Sequence, residues 1–104
     1  MRAIVSRVIA TFADVTTADI WNGVNSKAAR RIPKDLWPVV RRKLDLLNRV
    51  DRVESLRIPP GNRLEALRGN RAGTWSLRVN DQYRITFRFG EERAHAVRCE
   101  DYHP

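Results

Sequence analysis

The final residues, "EDYHP", hold the densest set of reactive groups in the chain: two carboxylates, a phenol and an imidazole at Glu100, Asp101, Tyr102 and His103. An imidazole with a reference pKa near ~6.5 can give or take a proton close to neutrality, and Asp101 could orient it or accept the proton itself. Arg84 and Arg88 in "YRITFRF", with Arg78 in "TWSLRVN", add cations suited to an anionic ligand. Chain ends commonly fray, so the same tail also reads as solvated polar chain. A metal site is the weaker reading, because Cys99, Asp101 and His103 are few and lack a recognised ligand spacing. Cys99 lacks the electropositive helix terminus that would mark a reactive thiolate, and His95 falls within a strand pattern as a structural residue.

The elements that position these groups follow from periodicity. "RVIATF", residues 7–12, alternates weakly and predicts a first strand. In "TTADIWNG" Thr16 serves as N-cap, Asp19 as its capping-box partner and Gly23 as the stop of a short helix. Leu36, Val40, Leu44 and Leu47 share one face of a second helix from Asp35 to about Asn48, with Asp35 as N-cap and Pro38 tolerated in the first turn. "RIPPGN" breaks the chain before a strand-rich half. There "RLEAL" predicts a strand, "TWSLRVN" and "YRITFRF" a hairpin joined through Asn80-Asp81-Gln82, and "AHAVRC" a last strand. Trp75, Leu77, Val79, Tyr83, Ile85, Phe87 and Phe89 share the apolar face that must pack on the helices. Arg78, Arg84 and Arg88 share the other, which is either solvated or a grip on a phosphate backbone.

The 104 residues predict one domain, 1–104, able to bury roughly 60–70% of its unfolded surface. With Cys99 as the single cysteine an intramolecular disulfide is excluded, and a reducing cytoplasm is expected. Arg7 interrupts the early apolar run, which argues against a signal peptide, and no stretch is long enough to span a membrane. The formal net charge of +8 points to a polyanionic partner, and arginine supplies 17 of the 20 cations. Its planar fork suits bidentate phosphate binding.

"PPGNRLEALRGNRAGTWSLRVNDQYRITFRF", followed by the terminal "DYH", resembles the HigB group of toxins in the RelE/ParE superfamily of bacterial toxin–antitoxin systems, and "WNG" followed by "RRIP" fits the same group. The resemblance implies an α+β fold, two N-terminal helices packed on one face of a small, largely antiparallel sheet. It implies an endoribonuclease that cuts mRNA in the ribosomal A site, restrained by a HigA-like helix-turn-helix antitoxin, with no cofactor or metal. Its working residues would be Arg84, Asp101, Tyr102 and His103. Arg68 stands where relatives commonly have lysine, and Glu65 where some have a histidine that takes part in cleavage. Arg63, Arg71, Arg78 and Arg88 complete the expected RNA-binding surface. RNA carries its own nucleophile, the 2′-hydroxyl, so such a site needs a base, an acid for the 5′-oxygen and donors for charge on phosphorus. The alternative is a non-catalytic relative or a small basic binding module acting on gyrase or RNA.

Overall fold

A computed structural model describes residues 9–102. Helix α1 spans Val15–Asn22 and α2 spans Trp37–Arg49. Four strands follow: β1 Glu65–Ala66, β2 Trp75–Arg78, β3 Tyr83–Gly90 and β4 Arg93–Asp101. They form one antiparallel sheet in the order β1-β2-β3-β4. The expected α+β class is the observed one.

Apolar periodicity locates the core. Val40, Leu44 and Leu47 of α2 and Ile20 of α1 are fully buried against Leu77, Ile85, Phe87 and Val97 of the sheet. Trp37 is a core residue outside the expected stripe. Its ring is buried, and its indole N–H donates to the Ile32 carbonyl at 2.9 Å, satisfying the one polar atom that burial would otherwise strand.

Both expected helix starts shift. Asp14, not Thr16, caps α1, accepting from the Thr17 amide at 2.9 Å. Thr16 is buried and its hydroxyl donates to the Ala28 carbonyl, while Asp19 accepts from the Ser26 hydroxyl instead of closing a capping box. Gly23 ends the helix as expected, at a φ of 76° that glycine adopts without a Cβ clash. Asp35 lies inside a 3-10 turn, Lys34–Leu36, so α2 starts at Trp37, one residue later than the Asp35 cap required, and Leu36 precedes it without a side-chain cap. Pro38 does fall in the first turn, where its missing N–H costs nothing.

The "RVIATF" strand is reduced to two parallel bridges, Ile9 with Ala94 and Phe12 with Val97, and residues 7 and 8 lie outside the described range. Between the bridges Thr11 meets a bulge in β4: Ala96 has a φ of 54°, and its amide donates to Thr11 Oγ1 at 2.8 Å, not to a backbone carbonyl. "RLEAL" contributes only the two residues of β1, because Arg63 before it takes a left-handed φ of 46°. At the other end β4 runs two residues beyond "AHAVRC" and carries Asp101 into the ladder opposite Tyr83; the Tyr102 amide then donates to the Gln82 carbonyl at 2.9 Å. The tail is therefore sheet through Asp101 and anchored through Tyr102. Among the described residues no helix is long and apolar enough to cross a membrane.

Candidate active site

Alternation along β3 and β4 sorts the reactive residues between two faces. Arg84 and Thr86 stand opposite Glu100 and Arg98, and Tyr83 and Ile85 stand opposite Asp101 and Cys99. Arg84, Glu100 and Tyr102 therefore share the polar face, whereas Asp101 is on the side of Tyr83 and Cys99.

Arg84, Tyr102, Glu65, Arg63 and Leu64 line one pocket of about 350 Å³. The Arg84 guanidinium carbon lies 5.5 Å from the centre of the Tyr102 ring, within reach of a cation–π attraction that orients both groups. One terminal nitrogen, Nη1, donates to the Asn80 carbonyl at 2.7 Å and to that of Tyr83 at 3.3 Å. The Nε–H is buried and has no partner among the described residues. A guanidinium fixed at one corner, backed by a ring and lining a pocket is a cation held in place for an oxyanion. The hairpin loop makes this possible: Asn80 Oδ1 accepts the amides of Gln82 and Tyr83, which turns the Asn80 carbonyl toward Arg84.

The opposite wall comes from the loop before β1, held by two residues with no obvious sequence signal. Asn62 is buried; its amide nitrogen donates to the carbonyls of Leu56 and Ile58 and its oxygen accepts from Lys43 of α2. Burial, followed by the charges of Arg42 and Arg78, lowers the Lys43 pKa. That clasp fixes the chain just ahead of Arg63 and Glu65.

Glu100 was not among the expected site residues, although the alternation Arg98, Glu100, Tyr102 could have signalled its face. Its carboxylate accepts both terminal nitrogens of Arg71, at 3.1 and 2.8 Å, and the Thr86 hydroxyl at 2.6 Å. Burial pushes its pKa up, but the hydrogen bonds from Arg71 and Thr86 outweigh that and hold it below the usual carboxylate range. The polar face is thus not simply solvated: Ser76 and Thr86 at its centre are buried.

Of the remaining expected residues, Asp101 accepts from Gln82 Nε2 at 3.0 Å and lines a separate pocket with Tyr83 and Cys99. Arg68 is exposed where the chain enters the turn Gly69–Arg71, and lines neither the Arg84 pocket nor the one beside Glu100. Arg78 pairs with Asp81. Arg88 is exposed with no carboxylate partner among the described residues. His103 lies outside the described residues.

The family model for the RelE-like toxin of the type II toxin–antitoxin system HigB matches residues 11–103. The chain belongs to the HigB-like toxin family. It is 45% identical over 65 residues to Toxin HigB-1 of Vibrio cholerae, an alignment covering 62% of this chain and 68% of that protein. It is 44% identical over 41 residues to Endoribonuclease HigB of Proteus vulgaris, covering 39% of this chain and 45% of that one. In fold it is similar to a chain of the YoeB–YefM complex from Staphylococcus aureus, with a TM-score of 0.58, 16% identity and coverage of 92% and 98% of the two chains. The YoeB/ParE toxin from Agrobacterium tumefaciens gives a TM-score of 0.50 at 19% identity, over 89% and 98%. Both likenesses to this HigB-like toxin are likenesses of fold.

Proposed function

We propose that this HigB-like toxin is an endoribonuclease that cleaves mRNA in the ribosomal A site by attack of the substrate's own 2′-hydroxyl, in the cytoplasm, and that a HigA-like helix-turn-helix antitoxin restrains it. The observation that carries the reading is Arg84, anchored on Asn80, laid on Tyr102 and lining a pocket shared with a carboxylate.

In this reading Arg84 donates to the non-bridging oxygens of the scissile phosphate as negative charge accumulates there. Glu65, the carboxylate in the Arg84 pocket, takes the 2′-hydroxyl proton, a role in keeping with a position where some relatives have histidine. His103 protonates the departing 5′-oxygen, and Tyr102 stacks on a displaced base while fixing Arg84. Asp101 acts from the other side of β4, where it accepts from Gln82, and Arg68 clamps the message. The ribosome supplies what so sparse a site lacks, the positioning of the substrate's 2′-oxygen in line with phosphorus.

The test is cleavage of message on programmed ribosomes by purified protein stripped of metal, compared with naked RNA. Products ending in 2′,3′-cyclic or 3′-phosphate, formed on ribosomes and lost in Arg84→Ala and His103→Ala, are expected. Glu65→Gln should lose more activity than Asp101→Asn. Naked RNA cut as fast, or 3′-hydroxyl ends, would overturn the mechanism. Growth arrest without RNA cleavage would favour the gyrase-directed alternative.

A further inference from the structure

At the centre of β2 one hydroxyl is sealed inside the polar face. Ser76 is 0% exposed, and its Oγ has no hydrogen-bond partner among the described residues. Burying a hydroxyl without a partner is costly, and such atoms are rare in a regular strand. The other buried side-chain atom without a partner among the described residues is Arg84 Nε. The ladder makes the two neighbours. Ser76 and Arg78 of β2 stand opposite Thr86 and Arg84 of β3, so Ser76 and Arg84 are diagonal positions on one face. Diagonal positions lie ~7–8 Å apart, within reach of a long side chain. One atom is a donor without an acceptor, and the other is an oxygen that can accept.

The surroundings point the same way. Arg84 of β3 shares its pocket with Glu65 of β1, although β2 runs between those strands, and the β2 residue paired with Glu65 is Ser76. A short side chain at that place lets the arginine lie low over β2. Thr86, the other short hydroxyl beside Arg84, donates to Glu100 at 2.6 Å, and Arg78 is drawn to Asp81 in the hairpin loop. Arg84 Nη1 is held by the Asn80 carbonyl, but one anchored corner leaves the plane of the guanidinium free to turn about it. We infer that Ser76 is a positioning residue for Arg84: its hydroxyl accepts the Nε–H, and this second anchor fixes the plane and turns Nη2 toward the substrate phosphate. Rotation of Ser76 about χ1, from one staggered well to another, moves only its oxygen and makes the bond. The consequence for cleavage rests on the endonuclease reading of the Arg84 pocket.

Hydrogen exchange at arginine Nε in 15N-labelled protein reads the bond directly, with the Arg84 signal assigned by its disappearance in Arg84→Lys. Wild type should exchange slowly and Ser76→Ala roughly tenfold faster, whereas Ser76→Thr, which keeps a hydroxyl on a side chain suited to a strand, should restore protection. Rapid exchange in wild type overturns the inference whatever the variants do, so the test survives a variant that fails to fold. Single-turnover cleavage on ribosomes supplies the second readout. Ser76→Ala should lower the rate at saturating ribosomes roughly tenfold, with the half-saturating concentration unchanged, and should change nothing further in an Arg84→Ala background. An equal loss in both backgrounds, or one explained wholly by the unfolded fraction, makes Ser76 a packing residue and overturns its positioning role. The two readings fail separately. Protection that depends on Ser76 in a protein that cuts no message refutes the endonuclease and leaves the bond standing. Cleavage lost in Arg84→Ala, with Arg84 exchange indifferent to Ser76, refutes the positioning residue and leaves the active site.

Discussion

At the Arg84 end of the polar face the guanidinium leans on an aromatic ring and has no carboxylate partner among the described residues, whereas at the Glu100 end Arg71 commits two donors to a half-buried carboxylate. The residue type is the same and the two sites share one sheet. What differs is whether an acid stands opposite. Arginine that meets a carboxylate ties the loop carrying residues 69–71 to β4, and arginine denied one is left as a binding group. Counting cations would have treated Arg63, Arg71, Arg78 and Arg88 alike, yet Arg71 and Arg78 spend charge on Glu100 and Asp81.

The contrast is broken most severely at Arg84. Arg84→Ala should lower ribosome-dependent cleavage on the order of 10²–10³ with the melting temperature little changed, read by single-turnover kinetics and thermal unfolding on the same preparation. Arg84→Lys should recover little, because an ammonium cannot hold the Asn80 carbonyl and present a second N–H in the same plane. A stability loss that accounted for the whole defect would erase the distinction between the two ends.

Arg71→Ala should invert that pattern. It removes two of the three donors of a carboxylate whose side chain is 12% exposed, leaving only the Thr86 hydroxyl, so equilibrium denaturation should show a loss of about 1–3 kcal/mol, while turnover of the folded fraction falls much less than in Arg84→Ala. Adding Glu100→Gln to Arg71→Ala should return part of the loss, because the stranded charge disappears with it.

Acid sharpens the comparison further. The Glu100 pKa is depressed in the folded state, so its contribution to stability is present above the unfolded value of about 4.3 and is lost as pH falls through the lower folded value. The difference in melting temperature between wild type and Glu100→Gln should therefore be constant near neutrality and close as the pH drops below about 4. A gap independent of pH would mean that the carboxylate charge does not hold the pair.

The smallest effect is expected at Cys99, next to Glu100 in sequence but on the core face. Burial, with Asp14 and Glu100 adding to it, pushes this thiol up to about 12, whereas half-buried Glu100 is lowered by its donors. A thiol reagent at pH 8 should leave Cys99 unmodified in the native protein and label it only on unfolding. Rapid native labelling would show that the core face opens locally beside the site.

Much of this was legible along the chain. The α2 stripe of Val40, Leu44 and Leu47, the β2–β3 hairpin and the grouping of Arg78, Arg84 and Arg88 on one face all depend on periods of 3.6 and 2, which are properties of adjacent residues. The ordered "RLEALRG", "YRITF" and "DYH" segments carried the family, and Gly23 announced its own left-handed stop. Tertiary contacts decided the rest. Asp14 displaced Thr16 as cap because Thr16 was needed inside, against Ala28; the first strand shrank because the bulge at Ala96 turned to Thr11 Oγ1; and β1 shrank because Arg63 turned left-handed. Glu65 came to share a pocket with Arg84 and Tyr102 while Asp101 did not, since β4 continued as regular strand through Asp101 and alternation sent neighbouring side chains to opposite faces. Sequence periodicity says which residues share a face. Which arginine on that face meets an acid depends on Arg71 and Glu100, 29 positions apart, being brought together by the fold, and no local pattern encodes that meeting.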